Sequence, residues 1–332
     1  MKVPDIDVNE ALVRTICCAL CSSDAAKVND DNVNGSIKIG HEYIGIVEKV
    51  GSEIEKIKIG DVITILHHIP CYVCEYCNRG LYTMCAHYKN THLNPHGFSE
   101  YIKILPDHIE YGTEIITPNK NVGKYIFTEP ISCCLRGIEK ININKKDNIQ
   151  VLIYGCGLMG LIFIALFKLL FNSFIIAIDI DDYRLNIAKR FGSDFNINTK
   201  KEDVDSIISN NSFINPDIII LTVVNQDTIN KSISYIKKGG TIQIFTPSDK
   251  KFLLDFNNLF YKEIKVVASY SGTPETFKEA FSLIKENKLN FLSLITYKLN
   301  VEDFMTGVKL TLKNKAYRVI YYFNEELFKK YF

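Results

Sequence analysis

Between residues 150 and 245 the sequence alternates short, continuous apolar runs with segments of helical length. The runs are Val151-Leu-Ile-Tyr, Ile175-Ile-Ala-Ile, Asp217-Ile-Ile-Ile-Leu and Thr241-Ile-Gln-Ile-Phe. Uninterrupted apolar strands are typical of a parallel sheet covered on both faces, and such a sheet needs helical crossover connections. The pattern therefore predicts a doubly wound α/β domain.

The first apolar run is followed directly by a glycine motif, Gly155-Cys-Gly157-Leu158-Met159-Gly160. In a strand-to-helix turn the first glycine permits the tight turn, the second lets the backbone approach a pyrophosphate, and the helix N-terminus supplies N–H donors. The next strand ends in Asp179, nineteen residues after the third glycine, where a ribose hydroxyl needs an acceptor. We predict a dinucleotide site that favours NAD, because this carboxylate repels the 2′-phosphate of NADP. A glycine-rich helix start that serves only close packing is the alternative.

Four cysteines lie within fifteen residues, at Cys71, Cys74, Cys77 and Cys85. Thiolates at this spacing can hold one tetrahedral zinc ion, and sulfur then fills every coordination position. Because such a site has no room for a substrate, we predict that it is structural. Four unrelated buried cysteines are the alternative.

A second group of metal-ligating residue types is dispersed along the chain, at Cys21, His41, Glu42 and Glu129. A mixed set of sulfur, nitrogen and oxygen ligands leaves one position for water or substrate, as catalytic zinc requires. Spacing alone does not separate this interpretation from a core histidine at position 41 and a helix N-terminal acid at position 129.

Composition excludes several classes of function. Lys and Arg total 39 against 38 for Asp and Glu, so the chain lacks the basic surface expected of a nucleic-acid or membrane-surface binder. The acidic start predicts no secretory signal and hence a cytoplasmic location, where cysteines stay reduced or bind metal. Residues 151–171 are apolar, but three glycines and Lys168 predict strand, turn and helix there instead of a membrane span.

The remainder of the chain predicts a second, β-rich domain. At 332 residues with 47% apolar composition, the chain is long enough for two cores. Short runs split by glycines between residues 10 and 62 predict strands and turns. Residues 71–97 lack apolar periodicity and predict a loop lobe, residues 275–286 an amphipathic helix, and two strands near 295 and 317–323 are expected to pair back onto the first domain.

Together these residues resemble the zinc-dependent medium-chain dehydrogenases, and within them the polyol dehydrogenases similar to sorbitol or L-iditol 2-dehydrogenase. The resemblance is carried, in chain order, by Cys21-Ser-Ser-Asp, Gly40-His-Glu, the four cysteines, Gly97-Phe-Ser-Glu-Tyr, Glu129-Pro-Ile-Ser, the glycine motif and Ser269-Tyr-Ser-Gly-Thr-Pro-Glu. It implies a GroES-like catalytic domain at residues 1–131 and 271–332, with an NAD-binding Rossmann domain inserted at residues 132–270.

The resemblance also implies roles for individual residues. Cys21, His41 and Glu129 would hold the catalytic zinc, Glu42 would be a fourth or exchanging ligand, and Ser23 would pass the proton. With the four-cysteine site this makes two zinc ions per chain. Arg184 would lie near the adenosine moiety of the cofactor.

The implied activity is the NAD-dependent oxidation of a small secondary alcohol, with a neutral polyol as the main expectation. A sugar-phosphate or amino-alcohol dehydrogenase of the same family is the alternative, and a catalytically inactive nucleotide-binding regulatory relative is a further one. We also expect a homo-oligomer, either a dimer or a tetramer.

Two positions depart from the expectation for a polyol enzyme. Ala26 stands where many family members carry the outer proton-relay histidine, so water, His67 or His68 would take over that role. Arg136 offers a planar fork to an anionic substrate. Pairing of Arg136 with Glu139, or contact with the cofactor pyrophosphate, are the competing interpretations.

Overall fold

The computed structural model describes residues 3–30, 37–117, 122–143 and 149–332. The chain divides into two compact units, the first formed by Met1–Ser132 with Gly272–Phe332 and the second by Cys133–Ser271. No helix in the described part of the chain has the length and apolar character needed to cross a membrane.

The strands among the described residues are, in chain order, β1 Ala11–Leu20, β2 Glu42–Val50, β3 Val62–Ile65, β4 Tyr101–Ile104, β5 Thr113–Ile116, β6 Gln150–Tyr154, β7 Phe174–Asp179, β8 Phe195–Asn198, β9 Ile218–Leu221, β10 Thr241–Ile244, β11 Lys265–Ala268, β12 Ile295–Asn300 and β13 Arg318–Tyr322.

The α-helices are α1 Ser22–Val28, α2 Glu75–Asn78, α3 Ala86–Asn90, α4 Pro106–Gly112, α5 Thr128–Ile141, α6 Leu158–Phe171, α7 Asp182–Arg190, α8 Val204–Asn210, α9 Gln226–Tyr235, α10 Phe256–Tyr261, α11 Pro274–Lys285, α12 Phe304–Leu312 and α13 Glu325–Tyr331. Short 3₁₀ turns lie at Tyr82–Met84, Val122–Phe127, Leu292–Leu294 and Val301–Asp303.

The first unit is built on a sheet in the order β12-β13-β1-β2-β3-β5, with β4 also paired to β1. Every neighbouring pair is antiparallel except β12 with β13. Strand β1 is central, because β2 pairs with one of its edges while β13 and β4 pair with different parts of β1. The prediction that strands near 295 and 317–323 pair back onto the first domain is confirmed.

The register of this sheet brings three strand ends together. Ala19 of β1 lies opposite Glu42, the first residue of β2, and also opposite Ile320 of β13. Leu20 lies opposite Val319, next to Arg318 at the start of β13. Residues just beyond the end of β1 therefore meet the beginnings of β2 and β13.

The second unit is a parallel sheet in the order β11-β10-β9-β6-β7-β8. From β6 the chain winds outward through β7 and β8, and then returns to the other side of β6 for β9, β10 and β11. The predicted doubly wound α/β fold is confirmed, and the strand order reverses beside β6, where such sheets bind ligands at their carboxyl edge.

Two details differ from the sequence predictions, and one further prediction is confirmed. The segment predicted as a loop lobe contains α2, a 3₁₀ turn and α3, which are too short to show apolar periodicity. Strands β8 and β11 carry no continuous apolar run, because they form the two edges of the parallel sheet and are covered less than its centre. The helix predicted at residues 275–286 is confirmed as α11.

Candidate active site

The end of β1 and the start of β2 bring three metal-ligating side chains together. Cys21 directly follows β1, and His41 directly precedes β2, which begins at Glu42. One ligand atom from each of the three lies within 4.8 Å of the others. The strand register thus brings together three of the four dispersed residues that were predicted to bind a metal ion.

Glu129, the remaining predicted ligand, is not part of this compact group. It is buried in the first turn of α5, and its charge favours protonation of both His41 and Glu42. The described residues therefore place Glu129 close enough to act electrostatically, while Glu42 completes the group of three.

His41 is oriented by a buried carboxylate. Its Nδ1 lies 3.3 Å from Oδ2 of Asp24, which is fully buried in α1 and also accepts a hydrogen bond from the Gly40 N–H at 3.1 Å. Histidines that ligate metals usually donate their second ring N–H to a carboxylate in this way. With Nδ1 donating to Asp24, Nε2 is left for a metal ion.

Burial and mutual contacts change the ionisation of the group. Burial opposes ionisation of Cys21, but the hydrogen bond and charge of His41 outweigh it and lower the pKa of this thiol to about 7. Burial raises the pKa of Glu42 to about 8, against the opposite effect of Arg318. Both carboxylate oxygens of Glu42 are buried, and neither accepts a well-aligned hydrogen bond from a described residue. A thiol, an imidazole and a carboxylate of this kind suit zinc.

The four predicted cysteine ligands also come together. The Sγ atoms of Cys74 and Cys77 are 3.5 Å apart, those of Cys85 and Cys71 are 3.5 Å apart, and those of Cys71 and Cys77 are 4.0 Å apart. Zinc–sulfur bonds of about 2.3 Å in a tetrahedron place sulfur atoms about 3.8 Å apart. None of these cysteines forms a disulfide. The geometry fits one zinc ion with no open position.

The glycine motif forms the turn between β6 and α6. Gly155 has a φ of +94°, and a Cβ there would lie 2.5 Å from Oγ1 of Thr222. A Cβ on Gly160 would lie 1.9 Å from the carbonyl oxygen of Gly155. Helix α6 begins at Leu158, followed by Met159. Gly157, the N-cap residue, has no side chain that could cap the helix. The first N–H groups of α6 therefore face the turn uncapped.

Asp179 and Arg184 lie beside this turn. Oδ2 of Asp179 accepts from the Cys156 N–H at 2.7 Å, and Oδ1 accepts from the N–H groups of Ile180 and Asp181 at 2.7 and 3.1 Å. Nη1 of Arg184 is 4.0 Å from where a Cβ of Gly157 would lie. The acidic and basic residues predicted at the cofactor site are therefore both at the glycine turn.

A cluster of histidine rings adjoins His41. The ring of His67 is 4.9 Å from that of His41, 4.0 Å from that of His68 and 5.5 Å from that of His92. Burial lowers the pKa of His68 to about 4 and that of His92 to about 3. Burial therefore favours the neutral form of the His68 and His92 rings. Ser23 and Ala26 lie on exposed positions of α1.

Two residues at the site, Asp24 and Arg318, were missed by the sequence analysis, and the structure favours one of the interpretations given for a third. Asp24 has a local signal, since it lies three residues after Cys21, about one helical turn away. Arg318, which lies against Glu42, has no such signal. Arg136 donates to Glu139 at 2.8 Å within α5, which agrees with the simpler of the interpretations given above.

Residues 7–111 match the family model described as an alcohol dehydrogenase GroES-like domain, and residues 159–286 match the model described as a zinc-binding dehydrogenase. The two matched regions together span more than half of the chain.

Similar proteins cover nearly the full length. D-arabitol-phosphate dehydrogenase of Enterococcus avium is 26% identical over 99% of this chain and 94% of that protein. L-threonine 3-dehydrogenase of Caldanaerobacter subterraneus subsp. tengcongensis is 27% identical over 97% of this chain and 93% of that protein. The structure of galactitol-1-phosphate dehydrogenase from Escherichia coli superposes with a TM-score of 0.84 at 23% identity, covering 97% of this chain and 95% of that one. The chain belongs to the zinc-dependent medium-chain alcohol dehydrogenase family.

Proposed function

We propose that this protein is a dehydrogenase that oxidises a secondary alcohol to a ketone, with catalytic zinc and with NAD as the hydride acceptor. The observation that carries the proposal is the assembly of Cys21, His41 and Glu42 within 4.8 Å, beside a separate site made of four thiols. A mixed donor set suits a catalytic ion that keeps one position for substrate, whereas four thiolates suit a structural ion.

The residues of the first site divide the work of the proposed reaction. Zinc bound there supplies Lewis acidity that makes the substrate hydroxyl easier to deprotonate. Cys21 and His41 hold the ion, with Glu129 as the third ligand implied by the family resemblance, and Asp24 fixes the ring of His41. Ser23, two residues after Cys21, accepts the hydroxyl proton and passes it to solvent from its exposed position on α1.

The proposed cofactor is NAD. Asp179 is held beside the glycine turn with its negative charge next to the N-terminus of α6. A carboxylate accepts hydrogen bonds from a ribose diol but repels a 2′-phosphate. Arg184 also lies near the turn, and we assign it to the adenosine moiety instead of to a 2′-phosphate.

The proposed substrate is a sugar alcohol of the kind that sorbitol-like enzymes oxidise. A second candidate, a sugar-alcohol phosphate or an amino alcohol, is favoured by the two curated relatives, whose names specify arabitol phosphate and threonine. The engagement of Arg136 by Glu139 leaves this arginine less suited to an anionic substrate, and so the neutral polyol stays the first candidate.

A substrate panel with metal analysis tests the proposal. Formation of NADH is measured by absorbance with sorbitol, arabitol, arabitol phosphate and L-threonine, and kcat/KM is compared for NAD and NADP. We expect activity with at least one of these alcohols, a preference for NAD, and loss of activity in Cys21→Ser. Cys133→Ser is the matched control, because this cysteine belongs to neither thiol group. Zinc only at the four-cysteine site, with no turnover on any substrate, would favour the inactive nucleotide-binding alternative.

A further inference from the structure

His68 and His92 place two imidazole rings side by side, although the four cysteines separate them in the sequence. His68 follows β3 by three residues, and His92 follows α3 by two. Thr91 joins the two segments, because its Oγ1 accepts from the Ile69 N–H at 2.8 Å and its carbonyl oxygen lies 2.5 Å from Nδ1 of His68. Both histidines are half-buried. Backbone contacts therefore hold the pair together while leaving part of each ring accessible.

The tautomer of each ring follows from its backbone neighbour. Nδ1 of His68 faces the Thr91 carbonyl oxygen, and Nδ1 of His92 faces the Leu93 carbonyl oxygen at 3.4 Å. A carbonyl oxygen can only accept, so in the neutral rings Nδ1 carries the proton and Nε2 carries a lone pair. No described residue forms a hydrogen bond with either Nε2. Histidines that bind metal ions have this arrangement, with one ring nitrogen donating to a carbonyl and the other on the ion.

The ionisation of the two rings also suits a metal ion. Burial lowers the pKa of His68 to about 4 and that of His92 to about 3. A metal ion binds the neutral imidazole, and protons compete with it for the same nitrogen. Burial thus keeps the lone pair of each Nε2 available.

The spacing of the rings fits a shared ion. A zinc–nitrogen bond of about 2.1 Å places the ion about 3.2 Å from a ring centroid, so two rings at a tetrahedral angle have centroids about 5.2 Å apart. The centroids of His68 and His92 are 5.7 Å apart, and the ring planes are nearly perpendicular, so these rings do not stack. The rings of His67 and His68, at 4.0 Å, are too close to share an ion in this way.

We propose that His68 and His92 form a further metal site, which binds a zinc ion through the two Nε2 atoms with water in the remaining positions. Imidazole suits zinc, and two protein ligands make the ion exchangeable. The site adjoins the candidate active site, because the ring of His67 is 4.9 Å from that of His41 and 4.0 Å from that of His68. The inference is independent of the proposed function, since it needs neither Cys21 nor a cofactor.

Packing of the rings without metal binding is the competing explanation. The two explanations differ in how zinc binding responds to the side chain at position 92. At a metal site, His92→Asn removes a ligand, whereas His92→Cys supplies a thiolate that zinc accepts in its place. If the rings only pack, neither substitution changes the number of zinc ions bound.

Equilibrium dialysis of full-length protein over a series of free zinc concentrations counts the ions bound per chain. We expect the wild type to bind one exchangeable ion, His68→Asn and His92→Asn to bind it about ten-fold or more weakly, and His92→Cys to retain it. His87→Asn is the matched control, because His87 is an exposed histidine that pairs with Asp107. Cys21→Ser should bind the exchangeable ion as the wild type does, so failure of the proposed function leaves this result unchanged.

Four results would overturn the inference: a wild type without an exchangeable ion, equal binding by the wild type and His92→Asn, an equal loss in His87→Asn, or a loss in His92→Cys as large as in His92→Asn. Thermal unfolding shows which variants are folded. If His68→Asn does not fold, the two variants at position 92 decide, and if neither asparagine variant folds, the ion count of the wild type and of His92→Cys decides.

Discussion

At the scale of single residues, the candidate active site depends on side chains that do not ligate metal. Asp24 is completely buried and uses one carboxylate oxygen both for His41 and for the Gly40 N–H. It therefore fixes the ring and the backbone immediately before Glu42. A histidine held in this way loses little freedom when it binds an ion, which is why such partners strengthen metal binding.

We expect Asp24→Asn to weaken zinc binding at the Cys21 site by about 10-fold to 100-fold, because the amide removes the charge that orients His41. Competition with a chelator measures this affinity. Asp107→Asn is the matched control, since Asp107 also contacts a histidine, His87, but both side chains are exposed and such pairs contribute little. Equal zinc affinity in Asp24→Asn and the wild type would contradict the assigned role.

The sequence predicted the candidate metal ligands better than it predicted the residues that hold those ligands in position. Cys21, His41 and Glu42 were identifiable because their chemistry is rare and their neighbours resemble a known family. Arg318 was not, because its contact with Leu20 spans 298 positions of sequence and depends on the register of β13 against β1. From sequence alone, an arginine on the surface cannot be told from an arginine that is buried as a counter-ion. The strand pairing must be known first.

At the scale of elements, the glycines of the turn between β6 and α6 differ in how much room the protein leaves around them. Gly160 has no room for a side chain because the Gly155 carbonyl occupies that space. Gly157, by contrast, has no other group of the protein nearer than 4.0 Å to a Cβ. The protein itself therefore leaves room for a side chain at position 157.

We expect Gly160→Ala to destabilise the fold by about 1 to 3 kcal/mol, as overpacking does, whereas Gly157→Ala leaves the melting temperature near that of the wild type. Gly157→Ala should instead weaken NADH binding, because a methyl group keeps the backbone from the pyrophosphate. Thermal unfolding and fluorescence titration with NADH separate the two effects. NADH binding to Gly157→Ala at wild-type affinity would refute the placement of the cofactor.

Elements were predictable from sequence where burial is complete. The central strands β6, β7, β9 and β10 appear as apolar runs because helices cover both faces of a parallel sheet. The edge strand β11 is largely exposed, and its four residues carry no pattern long enough to predict a strand. The helical turns among the four cysteines are equally short. There the spacing of the cysteines predicted a metal site, but apolar periodicity could not predict the helices.

At the scale of the whole molecule, the two groups of ligands belong to the same unit but have different consequences. The four cysteines lie in a segment held by α2, a 3₁₀ turn and α3, each of five residues or fewer. Such short helices do not hold their shape unaided. The mixed group instead sits at strand ends of a seven-stranded sheet, where strand pairing sets the position of the ligands.

We expect Cys74→Ser to lower the melting temperature and the yield of soluble protein, since a closed structural site contributes folding energy. Cys21→Ser should remain folded, lose activity and retain about one of two zinc ions per chain. Elemental analysis together with thermal unfolding distinguishes the variants. Equal melting temperatures for the two would show that the roles of the sites are assigned wrongly.

The position of β13 also fixes when the metal site is completed during synthesis. The ribosome makes β1, β2 and all the proposed zinc ligands before it makes the second unit, yet the partner of Glu42 comes from a strand that begins at Arg318. The residues of Cys133–Ser271 are contiguous and emerge together, so that unit has its whole sheet available first. Until β13 leaves the ribosome, Cys18, Ala19 and Leu20 of β1 lack their β13 partner, and Glu42 lacks its buried cation. A chain stalled before that point has every ligand but not the finished site.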